Sequence, residues 1–268
     1  MNTIVITGST RGLGLELAKC FRKIGWNTVI NGVNEQRLND AAALLRAIKS
    51  DAAVSTFCGN ITDTNTIKGL IDHTVSEFGC IDIWVNNAGV NQPMKPLWEL
   101  FENEIDAMLN IDLKAAIMGS ILAKRQMETQ GNGGYIYNVE GYGSNDAMML
   151  GLNMYGTSKR ALTHFTRAFA KELDECGSKV KIGRLSPGIM ITDFTVKALG
   201  GKDEIQLPEK AKKVYNILGN YPDTVAEFLS GQMIKTTKNN SHIEWLTGRK
   251  AMWRFMTAGF NKRDFFSE

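Results

Sequence analysis

The sequence lacks the features that mark disulfide-stabilised, metal-binding, membrane-spanning or strongly charged proteins. Its four cysteines are Cys20, Cys58, Cys80 and Cys176. They lie far apart without Cys-x-x-Cys spacing, so we expect reduced thiols and no metal site. No run approaches the roughly 20 apolar residues of a membrane span, and no signal peptide is visible. The net charge of +3 is dispersed along the chain, which argues against nucleic acid as a partner. We therefore expect a cytoplasmic protein.

Short runs of β-forming residues alternate with longer segments of helical periodicity. The predicted strands are Thr3–Thr7, Asn27–Asn31, Val54–Cys58, Ile81–Asn86, Gly134–Val139 and Lys179–Ser186. The predicted helices are Gly12–Ile24, Glu35–Lys49, Asp63–Phe78, Glu102–Thr129, Tyr155–Cys176 and Thr224–Thr236. This alternation indicates βαβ units and an α/β fold with a doubly wound parallel sheet. No linker interrupts it, so we expect one domain over residues 1–268. The pattern weakens over residues 193–218, which we interpret as a lid over the substrate.

A glycine-rich turn follows the first predicted strand and precedes a helix. It reads Thr7-Gly8-Ser9-Thr10-Arg11-Gly12-Leu13-Gly14. Glycines allow a tight turn and let backbone N–H groups approach a pyrophosphate at the helix N-terminus. An ordinary strand-to-helix turn is the alternative. The position of the turn favours a dinucleotide site.

Three further motifs follow in order along the chain. They are Asn86-Asn87-Ala88-Gly89, Tyr155-Gly156-Thr157-Ser158-Lys159, and Ser186-Pro187-Gly188 followed by Thr192. With the Gly-xxx-Gly-x-Gly spacing of the first turn, they resemble the short-chain dehydrogenase/reductase family over most of the chain. The resemblance implies a Rossmann-like oxidoreductase with a nicotinamide cofactor. The cofactor-binding residues it implies are Gly8, Ser9, Thr10, Arg11, Gly12, Leu13, Gly14, Asn60, Ile61, Asn87, Ala88, Gly89, Tyr155, Lys159, Pro187, Gly188 and Thr192.

The charge after the second strand bears on the choice of cofactor. An acid there would bind the ribose 2′-hydroxyl of NAD and repel the 2′-phosphate of NADP. The strand ends Asn31-Gly32-Val33-Asn34, without an acid. Arg11 resembles the basic residue of NADP-preferring relatives, although a solvated surface side chain would also explain it. We predict NADP(H) as the cofactor.

Tyr155 and Lys159 lie four residues apart in a predicted helix and so share one face. An ammonium about 4 Å away would stabilise a phenolate by roughly 4 kcal/mol and lower the tyrosine pKa from about 10 towards 7. Such a phenol suits general acid catalysis. The resemblance implies that Tyr155 protonates a carbonyl oxygen, while Lys159 lowers its pKa and holds the nicotinamide ribose. Outside that context, a core tyrosine and an exposed lysine would explain the spacing.

Two positions depart from the family pattern. Gly141 replaces the serine that binds the substrate carbonyl, and Ser144, Tyr142 or a backbone N–H could take that role. Asp112 stands where an assisting asparagine is usual, and could still anchor a water near Lys159. The stretch before Tyr155 resembles the chlorophyll b reductase branch, which reduces a formyl group on a tetrapyrrole with NADPH. That pigment is one candidate substrate.

An apolar cluster precedes the candidate catalytic tyrosine. Its members are Met148, Met149, Leu150, Leu152 and Met154. Pliable methionines suit a bulky apolar carbonyl compound, although packing against the lid or another subunit would explain them equally. The aromatic tail containing Trp245, Trp253, Phe255 and Phe260 is interpreted as core or interface packing. Relatives pair the helices that correspond to Asp112–Thr129 and Tyr155–Cys176, so we expect a homodimer or homotetramer.

The sequence thus predicts an NADPH-dependent reductase that converts a ketone or aldehyde to an alcohol. The catalytic residues would be Tyr155, Lys159, Ser144 and Asp112. One alternative is an NADP-binding sensor or scaffold that has lost catalysis, which Gly141 and Asp112 motivate. Another is a non-redox outcome such as epimerisation, for which a larger C-terminal substrate domain is usual.

Overall fold

The computed structural model describes residues 1–192, 209–260 and 263–266. Within them the strands are β1 (Thr3–Ile6), β2 (Asn27–Gly32), β3 (Val54–Cys58), β4 (Ile83–Asn86), β5 (Gly134–Val139), β6 (Val180–Ser186) and β7 (Ser241–Glu244). The helices are α1 (Gly12–Lys23), α2 (Glu35–Arg46), α3 (Thr64–Phe78), α4 (Glu102–Met108), α5 (Ala116–Thr129), α6 (Asn153–Glu175), α7 (Glu209–Leu218), α8 (Pro222–Lys235) and α9 (Gly248–Thr257). A short 3₁₀ turn (Leu97–Glu99) precedes α4, and a π-helical segment (Leu109–Ala115) joins α4 to α5.

The strands form one parallel sheet in the order β3-β2-β1-β4-β5-β6-β7. Val5 of β1 pairs with Val29 of β2 on one side and with Trp84 of β4 on the other. The chain therefore winds outwards in both directions from β1 and β4. In sheets of this topology the crevice for a ligand opens at the carboxyl ends of the two strands where the winding reverses. The doubly wound, single-domain α/β fold is confirmed.

Both faces of the sheet are covered by helices. Ile4 and Ile6 of β1 point to one face and pack with α1, α2 and α8, while Val5 points to the other and packs with α3, α5 and α6. All three side chains are fully buried. Full burial of an aliphatic side chain contributes about 1.5–3 kcal/mol, so these two layers hold the strand ends in place. They form the rigid base from which the functional loops extend.

Six of the seven strands agree with the sequence prediction, with shifts of one or two residues at some ends. The seventh, β7, was not predicted because the run Ser-His-Ile-Glu buries only Ile243 and becomes a strand through pairing with β6. The predicted helix over Glu102–Thr129 is interrupted by the π-helical segment. Of the predicted lid, residues 193–208 lie outside the described residues, and Glu209–Leu218 forms α7.

The aromatic tail is mostly exposed in the single chain, which corrects the expectation of core packing, while packing at an interface stays a prediction. Trp245 does pack on Phe228, with ring centroids 5.2 Å apart. Trp253 and Phe255 are about half exposed, and Phe260 is 93% exposed. The helix α9 contributes no buried residue to the core. Among the helices described, none has the length and apolar character needed to cross a bilayer.

Candidate active site

The glycine-rich turn after β1 lies directly against the turn after β4. Gly8 has φ +60° and Gly12 has φ +57°, a left-handed region that favours glycine. A Cβ on Gly8 would lie 2.7 Å from Cα of Ala88, and one on Gly14 would lie 2.5 Å from Nδ2 of Asn87. The two turns therefore meet backbone to backbone at the topological switch point. Side chains at either glycine would force the turns apart.

The N-terminus of α1 faces this junction with its N–H groups uncapped by a side chain. Arg11 occupies the N-cap position in an extended conformation, makes no side-chain cap and is exposed. The first N–H groups of a helix and its dipole attract anions, phosphates in particular. The methyl group of Thr192 lies 3.9 Å from where a Cβ on Gly12 would be, so Thr192 borders the same turn. The geometry fits the pyrophosphate of a dinucleotide.

The side chains of three other residues in the turn make contacts within the protein. Ser9 is buried, donates a 2.6 Å hydrogen bond to a carbonyl of β1 and accepts one of 3.0 Å from the N–H of Asn31. The methyl group of Thr10 fills the space above Gly32, where a Cβ would lie 2.5 Å away. Leu13 is buried in the core of the sheet. The side chains of these three residues therefore face the protein and shape the turn.

The end of β2, where a cofactor acid would stand, carries an amide. Asn31 accepts a 3.4 Å hydrogen bond from the N–H of Gly8 and donates one of 3.1 Å to the carbonyl of Gly59. It thereby links the glycine turn to the end of β3. Of the two residues predicted to flank the adenine, Asn60 is exposed and Ile61 is buried. The end of β2 therefore carries no charged side chain, and the exposed Arg11 of the glycine turn supplies a positive charge near it.

Tyr155, Lys159 and Asp112 come together at the carboxyl edge of the sheet, and all three are buried. Nζ of Lys159 lies 5.6 Å from the centroid of the Tyr155 ring and 3.4 Å from Oδ1 of Asp112. It also donates a 3.4 Å hydrogen bond to the carbonyl of Val139, at the end of β5. Oδ1 of Asp112 accepts a further bond of 3.1 Å from the N–H of Val90. The structure thus groups three of the four predicted catalytic residues.

The π-helical segment brings Asp112 into this group. A π-bulge adds a residue to the helical turn and re-aims the side chains around it, which is why such segments are common at functional sites. A Cβ on Gly89 would lie 2.6 Å from Oδ1 of Asp112 and 3.6 Å from Nζ of Lys159. The turn after β4 therefore touches the candidate catalytic group at Gly89 and the glycine turn at Ala88. Oδ2 of Asp112 has no hydrogen-bond partner among the described residues.

The pKa of Tyr155 differs from the sequence prediction. Burial, followed by the Asp112 carboxylate, raises the pKa of the Tyr155 phenol well above its ordinary value. This direction is opposite to the predicted shift towards 7, first because the phenol is buried and second because the Asp112 carboxylate faces it. Burial also raises the pKa of Asp112, against the opposing effects of Lys159 and the Val90 N–H. Tyr155 is therefore a neutral phenol at neutral pH.

Ser144 lies close to the glycine that replaces the usual serine. It is buried, and its Oγ accepts a 3.2 Å hydrogen bond from the N–H of Gly141. Arg160 donates a 2.9 Å bond to the carbonyl of Ser144 and forms a 2.9 Å ion pair with Asp146. A Cβ on Gly141 would collide with the side chain of Tyr155. The loop thus holds Ser144 beside the Gly141–Tyr155 contact.

The turn after β6 completes the carboxyl edge. Pro187 is buried and Gly188 is exposed with φ +71°. A Cβ on Gly188 would lie 2.8 Å from Cβ of Leu246, which follows β7. The predicted cofactor residues of this turn therefore lie on the edge that also carries Ser186 and Thr192. Together with the glycine turn they surround the crevice.

Two residues in the vicinity were missed by the sequence interpretation. Gln92, fully buried, accepts hydrogen bonds of 2.9 and 3.2 Å from the N–H groups of Met154 and Tyr155, and so caps α6 from the loop after β4. Glu140, directly after β5, is a buried carboxylate. A lone glutamine gives no sequence signal, because a cap contributed from 60 residues away leaves no local pattern. The sequence shows that an acid, Glu140, precedes Gly141, but it does not show which residues contact that acid.

A family model described as short chain dehydrogenase matches residues 2–202. The chloroplastic chlorophyll(ide) b reductase of Arabidopsis thaliana is 32% identical over 259 residues, which cover 92% of this chain and 71% of that protein. A chloroplastic protein of Oryza sativa, named a probable chlorophyll(ide) b reductase, is 29% identical over 281 residues, covering 99% of this chain and 54% of its own length. This chain thus spans about half of the rice protein.

Solved structures share the fold. A short chain dehydrogenase from Burkholderia cenocepacia in complex with NADP superposes with a TM-score of 0.77 at 24% identity, covering 91% of this chain and 95% of that one. A 7α-hydroxysteroid dehydrogenase complexed with NADH and 7-oxo glycochenodeoxycholic acid gives 0.78 at 22% identity, covering 92% and 93%. At these identities the likeness extends to the fold alone.

Proposed function

The chain belongs to the short-chain dehydrogenase/reductase family of oxidoreductases, and we propose that it uses NADPH to reduce the carbonyl group of a bulky apolar ketone or aldehyde. One observation carries the proposal. A buried Tyr155, Lys159 and Asp112 meet at the carboxyl edge, in contact through Gly89 with the turn that lines the glycine-rich cradle. A proton donor and a dinucleotide cradle so close together are what carbonyl reduction needs.

The residues of the cradle fit a nicotinamide dinucleotide. The open N-terminus of α1, with Gly8 and Gly12 in left-handed conformations, suits its pyrophosphate. Arg11 would contact the 2′-phosphate of the adenine ribose, since the end of β2 carries no acid to repel that phosphate. When bound, this cofactor supplies the hydride for the reaction. The preference for NADPH rests on Arg11 and on the amide of Asn31.

Tyr155 supplies the proton. Its raised pKa keeps the phenol protonated at neutral pH, so its hydroxyl can donate to the carbonyl oxygen as negative charge develops there. Lys159 then stabilises the phenolate, because its ammonium lies beside the ring and is already desolvated. Asp112 holds that ammonium in place through the 3.4 Å contact. A protonated phenol is the form of Tyr155 that carbonyl reduction requires.

Ser144 takes the role of the missing serine in this proposal. Its hydroxyl accepts a hydrogen bond from the Gly141 N–H and keeps its own hydrogen for donation to the substrate oxygen. The Gly141 N–H contributes indirectly, by orienting that hydroxyl. Two donors, Tyr155 and Ser144, would then polarise one carbonyl. Such fixed donors are the usual source of transition-state stabilisation.

The substrate is bulky and apolar in this proposal. Met148 is 93% exposed and Leu150 is 94% exposed, only a few residues before Tyr155, and Met149 and Met94 are also exposed. A Cβ on Gly151 would lie 3.3 Å from Cα of Met94, so the two segments adjoin. Exposed methionines offer an adaptable apolar surface. The names of the plant relatives make a formyl-bearing tetrapyrrole the first aldehyde to assay.

The test is titration with NADPH and NADH, followed by NADPH oxidation against a panel of bulky aldehydes and ketones. Tyr155→Phe is the catalytic variant, and Tyr221→Phe, at an exposed tyrosine, is the matched control. Loss of turnover in Tyr155→Phe alone, with NADPH binding retained, is the expected result. Tight NADPH binding without turnover of any carbonyl would favour the sensor alternative. Failure to bind either nucleotide would overturn the proposal.

Light scattering on the same sample tests the predicted homodimer or homotetramer.

A further inference from the structure

Glu140 is a buried carboxylate surrounded by polar groups from three elements. Its exposed fraction is 6%. Oε1 accepts a 2.9 Å hydrogen bond from Oγ1 of Thr163 in α6 and one of 3.5 Å from Arg184 in β6. Oε2 accepts one from Ser186, at the end of β6, and lies 3.1 Å from Nε2 of His242 in β7. The proposed reaction makes no use of this group.

The carboxylate is charged in the folded protein. Burial by itself raises the pKa of Glu140, but the hydrogen bonds from His242, Ser186 and Thr163 together lower it to about 2. A buried charge with this many partners is costly to disturb, since removal of one member leaves the others unpaired. We call the cluster of Glu140 with Thr163, Arg184, Ser186 and His242 the Glu140 joint, because it fixes α6, β6 and β7 relative to one another.

The elements that this joint connects are those that carry the site. The single hydroxyl hydrogen of Thr163 is shared between Glu140 and the carbonyl of Lys159, which lies 3.0 Å from Oγ1 and one helical turn earlier. Ser186 directly precedes the Pro187–Gly188 turn. Val139, the residue before Glu140, accepts the 3.4 Å hydrogen bond from Nζ of Lys159. One carboxylate thus joins the catalytic helix to the turn after β6.

We propose that Glu140 is a positioning residue, whose carboxylate sets the placement of α6, with Tyr155 and Lys159, relative to the Ser186–Gly188 turn. In this proposal it acts through these elements and not on the reacting atoms. The inference rests on the proposed function, in which the hydroxyl of Tyr155 and the cofactor near the Pro187–Gly188 turn must reach one carbonyl group. Misplacement of reacting groups by about 1 Å costs roughly 100-fold in rate.

The variant Glu140→Gln keeps the shape of the side chain and removes its charge. The amide nitrogen of the new glutamine would face groups that donate hydrogen bonds, so the contacts that Glu140 makes in the joint would weaken. We expect kcat to fall by roughly 10- to 100-fold, while the KM for the carbonyl stays within about threefold, at a temperature where circular dichroism shows full folding. Glu128→Gln is the matched control, because Glu128 also accepts from a serine, Ser178, yet is exposed at the opposite edge. A merely structural role would lower stability and leave kcat of the folded protein unchanged.

Thr163→Val tests the link to α6 separately. It removes the hydroxyl with little change in shape, and the double variant with Glu140→Gln should lose no more kcat than the worse single variant, because both break one connection. Unchanged kcat in Glu140→Gln, or losses that simply multiply in the double variant, would overturn the inference.

Amide hydrogen exchange separates this inference from the proposed function, because it needs no turnover. In Glu140→Gln, amides of residues 159–163 and 183–186 should exchange at least about tenfold faster than in wild type, with those of α3 unchanged. If the wild type bound NADPH but reduced no carbonyl, the reductase proposal would fail while the exchange data still decided the role of Glu140. Equal protection of both segments in wild type and variant would overturn it.

Discussion

A Cβ on Gly141 would lie 2.8 Å from Cζ of Tyr155 and closer still to its hydroxyl oxygen. The tyrosine therefore rests against the backbone at the position where the family carries its serine. Gly141 is not a vacancy that a serine could fill. It is the residue that leaves room for this placement of Tyr155, and we propose that Ser144 takes the role of the serine.

Restoring the family residue should impair the enzyme for this reason. Gly141→Ser and Gly141→Ala must displace the Tyr155 hydroxyl, so we expect kcat to fall by roughly 10- to 100-fold, with NADPH affinity little changed. Stopped-flow measurement of NADPH oxidation gives the rate. Gly231→Ala is the control, because a Cβ there meets nothing within 4 Å and a helical alanine is tolerated. Increased activity in Gly141→Ser would contradict the displacement.

Asp112→Asn should shift the pH dependence of alcohol oxidation. The carboxylate raises the pKa of Tyr155, so removing its charge lowers that pKa and more of the phenolate base is present at a given pH. We expect the midpoint of the pH–rate profile to fall by roughly one unit. Asp106→Asn, at an exposed acid of the same helical region, serves as the control. A profile that did not move would show that Asp112 has no influence on the titration of Tyr155.

Arg11→Ala should discriminate between the two nucleotides. Hydrogen bonds to charged groups contribute about 1.5–3 kcal/mol, so the loss of NADPH affinity should be roughly 10- to 100-fold, whereas NADH affinity should change by less than about threefold. Fluorescence titration measures both dissociation constants. Arg46→Ala, at the far end of α2, is the matched control. An equal loss for both nucleotides would assign Arg11 to the pyrophosphate they share.

The free energy of unfolding at acid pH should depend on Glu140. Its pKa in the folded protein, about 2, lies below the ordinary value, so its ionised form stabilises the fold above about pH 5 and the contribution disappears as the pH falls towards 2. The shift corresponds to about 3 kcal/mol. Urea unfolding as a function of pH should therefore give a flatter curve for Glu140→Gln than for wild type. Parallel curves for the two proteins would refute this.

Much of the fold was predictable because it is encoded locally. The strand β1 and the helix α1 follow from a buried apolar run, two glycines and a 3.6-residue period, and each signal lies within a few residues. The strand β7 escaped prediction because it buries a single apolar residue, Ile243, and becomes a strand by pairing with β6. The π-helical segment escaped as well, since the sequence around Asp112 reads as ordinary helix.

By itself the sequence determined the doubly wound topology, the spacing of Tyr155 and Lys159 on one helical face, and the glycine turn before α1. Those properties depend on the order and periodicity of residues. Only the tertiary structure decided the protonation of Tyr155, which burial and Asp112 set, and the partners of Glu140, drawn from α6, β6 and β7. The physical reason is that electrostatic energies depend on distance and desolvation in space, and neither is carried by local sequence.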